Sequence, residues 1–362
     1  MTRRTPVPDW PARDRVRWVQ ATEPDGLFGS GGVAAGWSDA RKQMVACGYD
    51  DWLRWLKDHE QFDPKVEPGE RVTRDRVGEY IAAMQDRCAP CTVLFSTREL
   101  YDALRAMAPE ADWTWLAQLC RILKSRARPV RDKVSRLKPI DELAKLGERM
   151  MDEAEAAQAS PRRRAVTYRD GLVIAFLAHR PVRLKNLAMM RLGQHLWRAS
   201  GSWQVIFSAY ETKSRRPYEA IFPSALAPRL ERYLEVHRPV LMRGRQTGDD
   251  AGTSPIHPQL DAVWLSENGN PLPYAAVAAQ IFIRTRRAFG RGLYPHAFRD
   301  CAATSVAVNN PRHIGDASLI LGHADHRTTQ KHYNHARSLE ASRRHAATLS
   351  QLRETLKAKR DG

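Results

Sequence analysis

The sequence is short of acid. Asp and Glu number 41 against 58 Lys and Arg, so the 362-residue chain carries a formal net charge of +17. A surplus of that size suits a polyanionic partner, because each phosphate neutralised by a cationic side chain releases condensed counterions. Charge alone leaves that polyanion open among DNA, RNA and an anionic membrane. Long apolar runs are missing as well. The longest, Leu172 to Ala178, falls far short of the ~20 residues a spanning helix requires. The opening Met1-Thr-Arg-Arg-Thr-Pro6 leads into more Pro, Asp and Arg without the apolar centre of a signal peptide. Cysteine is scarce and odd in number, at five, which points to a reducing compartment rather than a disulfide framework. These absences lead to the expectation of a cytoplasmic protein with no membrane association. Also missing are a carboxylate cage for a metal and a Gly-rich loop to cradle a nucleotide phosphate.

What is present is helix, read in segments. Hydrophobic residues make up 43% of the chain and charged residues 27%, enough for packed cores, and the length suits two domains. Residues 1–35 are rich in Arg, Pro and Gly and read as a flexible basic lead-in. From Trp37 the pattern turns helical. Trp52, Leu53, Trp55 and Leu56 cluster, and Val77, Tyr80, Ile81 and Met84 recur at helical spacing behind a cap at Thr73. Ser96-Thr-Arg-Glu99 has the spacing of a capping box, and Asp112 is placed to cap a further helix. Cys88-Ala-Pro-Cys91 fits a helix–helix junction at Pro90 better than redox or metal chemistry. Residues 36–135 therefore read as a helical domain and 136–165 as a basic linker. The charge run from Lys124 to Lys138 suits either a solvated face or a segment bridging domains along a polyanion.

The second half has one clear β signal. Trp203–Tyr210 and Tyr218–Phe222 alternate like strands around the polar Glu211-Thr-Lys-Ser-Arg-Arg216, predicting a hairpin with a cationic tip. A Gly/Pro/Asp loop lies around Gly248 to Pro258. No internal repeat is found. The tail beyond Arg337 spaces Leu339, Leu349, Leu352 and Leu356 among charges, as an amphipathic helix would.

Four segments carry chemistry together: Arg183-Leu-Lys-Asn-Leu187, Thr212-Lys213, His296-Ala-Phe-Arg299, and Leu321-Gly-His323 running on to Tyr333. In this order, with the hairpin lysine between the two arginines, the sequence resembles the tyrosine recombinase (phage integrase) family. The resemblance covers roughly residues 165 to 340. It implies a fold that is mainly α with a small β-sheet. A helical core-binding domain would contact DNA ahead of a catalytic domain at 166–340, with a tail helix at 341–362. It also implies breakage and rejoining of double-stranded DNA through a phosphotyrosine bond, with no cofactor.

Each residue type suits its implied role. Charge spreads over the non-bridging oxygens of a phosphodiester under attack, and the planar guanidinium fork donates paired bonds to such oxygens. Arg183 and Arg299 would form that clamp, with His323 as a third donor. Tyr333, the only tyrosine after His296-x-x-Arg299, would be the nucleophile. His296 would accept its proton, and Lys213 would protonate the leaving 5′ oxygen. Arg180 is disfavoured as the first arginine by family spacing, and Arg215 and Arg216 suit plain phosphate contacts. The crowd of His323, His326, His332 and His335 lacks the spacing of a zinc site.

Three features depart from the family pattern. Pro181-Val182 precede Arg183 where a Gly-Leu pair is usual, and Asn186 stands where an acid is common. The interval from His323 to Tyr333 is one residue longer than in many relatives, which leaves delivery of Tyr333 in cis or in trans open. The resemblance further implies a homotetramer on two DNA sites, monomeric off DNA, aided by DNA-bending accessory factors and nucleoid-associated when acting. Rival readings are a type IB topoisomerase, a transposase or resolvase of the same family, a catalytically inactive DNA-binding regulator, and an RNA-binding module.

Overall fold

The structure is a computed structural model describing residues 7–24, 26, 31–128, 137–243 and 261–309. The chain divides into two compact units, Met1–Asp132 and Lys133–Gly362. Its described part is mainly α with one small antiparallel sheet. No helix among the described residues is long and apolar enough to cross a membrane.

The first unit is built from helices α1 (Ala12–Thr22), α2 (Asp39–Asp58), α3 (Arg74–Gln85), α4 (Pro90–Met107) and α5 (Thr114–Arg126). Thr73 caps α3 by accepting the Arg76 N–H, and the Asp112 carboxylate accepts the Thr114 N–H at the start of α5. Trp52 stacks on Trp55, and both meet Tyr80 edge-on. The capping-box expectation for Ser96 to Glu99 is corrected: these residues lie inside α4, which starts a turn and a half earlier with Pro90 in its first turn.

The flexible lead-in expected over residues 1–35 is also corrected. It contains α1, and α1 is part of the core. Trp10 and Trp18 are buried, while fully buried Asp14 receives both terminal nitrogens of Arg71 at 2.8 and 2.7 Å and the Tyr49 hydroxyl at 2.6 Å.

The second unit centres on a helix pair, α6 (Ile140–Ala156) and α7 (Pro161–His179). They pack backbone to backbone, because Gly147 faces the Gly171 carbonyl and the Ala175 amide with no space for a Cβ. The basic linker expected at 136–165 is therefore corrected, since α6 occupies most of it and buries Leu143, Leu146, Met150 and Met151. Helix α7 is buried continuously from Tyr168 to Ala178, as its apolar run requires. After the short α8 (Leu184–Ala188) come β1 (Leu196–Ala199), β2 (Ser202–Phe207) and β3 (Tyr218–Ile221). They pair antiparallel in that order, with Leu196 opposite Val205 and Phe207 opposite Tyr218. The predicted hairpin thus gains a third strand at its β2 edge, and β2 stops at Phe207, short of the expected Tyr210.

The chain continues through α9 (Ala227–Arg232), a π-helical turn (Tyr233–His237) and α10 (Arg238–Arg243), then α11 (Tyr274–Phe289) and α12 (Pro295–Asn309). Gly290 ends α11 at φ 72°, a left-handed conformation that favours glycine. The loop around Gly248 to Pro258, His323, Tyr333 and the tail at 341–362 lie outside the described residues.

Candidate active site

Helix α7 closes with the Arg180 amide donating to the Phe176 carbonyl, and Pro181 stops its continuation. Arg183 follows as the N-cap of α8, with extended backbone (φ −68°, ψ 144°). At the other end of the unit's sequence, Pro295 starts α12. This places His296 in the first turn and Arg299 one turn further along, three residues apart and so on neighbouring positions of one face. Lys213 sits on the loop joining β2 to β3.

Those four side chains, from three separate elements, line one open cavity of about 660 Å³. Arg299 is buried at 5% exposure, whereas Lys213 and His296 are exposed. The Arg299 Nη1 donates to the Pro181 carbonyl at 2.5 Å. Burial pushes the Arg183 guanidinium down from its ordinary value. Burial, reinforced by the positive charge of Arg183, pushes Arg299 down to about 10. The cavity therefore concentrates positive charge with reduced hydration, a setting in which an incoming anion is strongly favoured. Tyr218 on β3 borders this field. Burial pushes its phenol up, against the pull of Arg180 and Arg299.

Of the six residues singled out in sequence, four are thus brought together, and His323 and Tyr333 fall outside the described residues. Arg180 is not part of the lining; its Nε donates to the Ile221 carbonyl of β3. Asn186 is buried, and its Nδ2 donates to the Glu211 carbonyl at 3.1 Å, a bond that an acid in its place would not make. The lining also contains Lys185, Tyr274 and Tyr294, which sequence reasoning passed over. Lys185 and Tyr294 had a readable signal, each standing two residues from a chosen one. A further missed pair, buried His195 and Glu211, lies beside the Lys213 loop. It carries no motif and only its tertiary bond reveals it.

The sequence model described as the phage integrase family matches residues 147–340, more than half of the chain. No curated protein sequence matches. Among solved structures, a lambda integrase dimer bound to a COC′ core site shares 15% identity. It aligns over 83% of this chain and 90% of its own, with a TM-score of 0.50, a likeness of fold. The integrase of transposon Tn1549 in complex with circular-intermediate DNA aligns over 82% and 91% at 15% identity and a TM-score of 0.48. XerA recombinase aligns over 91% and 96% at 16% identity and a TM-score of 0.39.

Proposed function

Because the chain belongs to the phage integrase family of tyrosine recombinases, we propose that it cuts and rejoins double-stranded DNA at specific sites through a 3′-phosphotyrosine at Tyr333. The observation that carries this reading is the convergence of Arg183 and Arg299 on one cavity with Lys213 and His296. The two guanidiniums clamp the non-bridging oxygens of the scissile phosphate, and His323 adds a third donor. The Tyr333 oxygen attacks phosphorus, and the bond from phosphorus to the 5′ oxygen breaks. His296 takes the phenolic proton while Lys213 delivers one to the departing 5′ oxygen. A phosphodiester is exchanged for a phosphodiester, so the step conserves the bond and calls for no nucleotide cofactor. Attack by the 5′ hydroxyl of another strand runs the same step backwards and completes the exchange. The positive charge that metal ions bring to other phosphoryl transfers comes here from arginine.

On this reading four copies assemble on two DNA sites, with the 341–362 tail docking into a neighbour in a cyclic head-to-tail contact. The helical first unit serves as the core-binding domain, and bending factors assist assembly. The biological outcome is integration or excision of a mobile element, carried out in the cytoplasm on the nucleoid.

The test is covalent capture. Nicked suicide duplexes from the DNA flanking the gene, and from a random-sequence library, are incubated with the protein and resolved under denaturing conditions. The parent protein forms an adduct that maps to Tyr333. Tyr333→Phe forms none and still binds the duplex. An adduct that persists in that variant, for example on cavity tyrosines Tyr274 or Tyr294, overturns the assignment.

A further inference from the structure

We propose that Glu211 and the buried His195 beside it are positioning residues for Lys213, and that Asn186 ties the same turn to the helix that begins at Arg183. The proposal rests on Lys213 acting as the general acid. It concerns how an exposed, four-carbon side chain on a ten-residue connection is aimed at one oxygen.

The connection between Phe207 and Tyr218, the last paired residues of β2 and β3, is not left to wander. Two residues before Lys213, every polar atom of Glu211 is engaged. Its Oε2 accepts both the amide and the hydroxyl of Ser208, each at 2.8 Å. Its own amide donates to the Ser208 carbonyl at 3.1 Å, and its carbonyl accepts Asn186 Nδ2. Its Oε1 accepts His195 Nε2 at 2.8 Å. The imidazole's other nitrogen, Nδ1, accepts the Arg191 amide at 3.1 Å. That bond assigns the ring proton to Nε2 and aims it at the carboxylate. His195 is 2% exposed, so it is a fixed post rather than a surface partner.

The far side of Lys213 is held as well. The Thr212 hydroxyl donates to the Arg216 carbonyl at 2.6 Å, the Arg215 amide donates to the Thr212 carbonyl at 3.2 Å, and Arg215 takes a left-handed φ of 54° to close the turn. Buried Thr212 and anchored Glu211 thus leave Lys213 exposed and facing the cavity. The His195 hydrogen bond holds the Glu211 carboxyl below its usual range, so the anchoring bonds are charge-assisted and strong. Asn186 adds register. It lies one helical turn after Arg183, and its bond to Glu211 fixes the spacing between the phosphate clamp and the proton donor. General-acid catalysis is sensitive to such spacing, since small misplacements of a reacting group are costly.

Two measurements on the full chain test this. Hydrogen exchange on the DNA-free protein compares the parent with Glu211→Gln, whose amide nitrogen does not accept from Ser208 or His195. Protection within residues 208–217 should fall about tenfold or more while α7 and α11 keep theirs; unchanged exchange in the loop overturns the anchor. The second measurement uses a duplex recovered by covalent capture, made with oxygen or with sulfur at the 5′-bridging position. Sulfur departs as a thiolate and needs no proton. Lys213→Ala should slow cleavage at oxygen about 100-fold or more, and Glu211→Gln and Asn186→Leu about 10- to 100-fold. All three should regain the parent rate at sulfur. If Lys213→Ala is rescued and Glu211→Gln is not, the positioning proposal falls alone. If Lys213→Ala itself is not rescued, the general-acid assignment beneath it falls.

Discussion

The Arg299 guanidinium donates to the carbonyl of Pro181, two residues ahead of Arg183. The bond reaches 118 positions along the chain and joins α12 to the turn that presents the other arginine. One member of the proposed clamp therefore sets the position of the other. Both are cations in partly dehydrated surroundings, and after burial itself the charge of Arg183 further disfavours that of Arg299.

A site built this way is relieved by an anion. Arg299 remains protonated through the neutral range, because its value of about 10 is still well above it, and a bound phosphate would pull that value back up. Sulfate or inorganic phosphate at constant ionic strength should raise the melting temperature. Each tenfold rise in anion above its Kd should add about 1.4 kcal/mol. Arg299→Met should lose most of this increment. An equal rise in parent and variant, read by differential scanning fluorimetry, would show that the anion acts elsewhere.

The Asp14–Arg71 pair yields a second prediction. Both side chains are almost wholly inaccessible, and Asp14 also accepts the Tyr49 hydroxyl. Asp14→Ala leaves a buried guanidinium without its carboxylate and should cost about 3–5 kcal/mol. Replacing both residues, as Asp14→Leu with Arg71→Met, should recover most of that loss. Urea unfolding followed by tryptophan fluorescence measures both. A loss below about 1 kcal/mol in the single variant, the size of a surface pair, would mean α1 is not integral to the core.

That helix also shows where sequence reading stopped. Along α1 two apolar pairs compete at helical spacing, Val16 with Val19, both exposed, and Trp18 with Ala21, both buried beside Asp14. The buried stripe contains a charged residue whose partner is 57 positions away, so periodicity pointed to no core face. Ser96 to Glu99 misled in the opposite way, since their motif is satisfied in composition inside a helix that Pro90 had already begun. Strand β1 is four residues long with one buried side chain, too short for alternation to register. The segments holding Arg183, Lys213, His296 and Arg299 stood out in sequence because their chain order is distinctive, and the fold brings all four to one cavity. His195 and Glu211 did not stand out, because their relation exists only once β2 has folded over the turn that follows α8.

The α6–α7 contact gives a third prediction, with an internal control. A Cβ on Gly147 would collide with the Gly171 carbonyl and come within 2.6 Å of the Ala175 amide. These are backbone atoms of a buried helix, which do not swing aside. Gly147→Ala should therefore cost about 1–3 kcal/mol, despite alanine's better helix propensity. Gly78 on α3 has open space around it, and Gly78→Ala should stabilise by about 0.5–1 kcal/mol. Chemical denaturation of the two variants should move in opposite directions. Matching shifts would mean that α6 and α7 do not meet at these glycines.

Glu155 supplies the pH dependence. At the end of α6 its Oε1 accepts Arg232 Nε at 2.8 Å and His237 Nε2 at 2.9 Å, and Arg164 of α7 reaches Oε2 at 3.2 Å. Arg232, helped by His237, holds the carboxyl down at about 2. Burial pushes His237 down in spite of Glu155, so the imidazole donates as a neutral ring at pH 7, stacked on Tyr168 at 4.0 Å. His237 owes this placement to the π-helical turn it closes, which gathers residues from three elements around one carboxylate. The folded value lies below the ordinary 4.5, so the folded state binds fewer protons than the unfolded chain between those values. The stabilisation is complete above about 4.5 and is lost as pH falls towards 2. Glu155→Gln removes the titrating group, so its urea midpoint should fall less steeply than the parent's over that interval while lying below it near neutrality. Parallel acid limbs in the two proteins would place the acid sensitivity of this unit at other carboxylates.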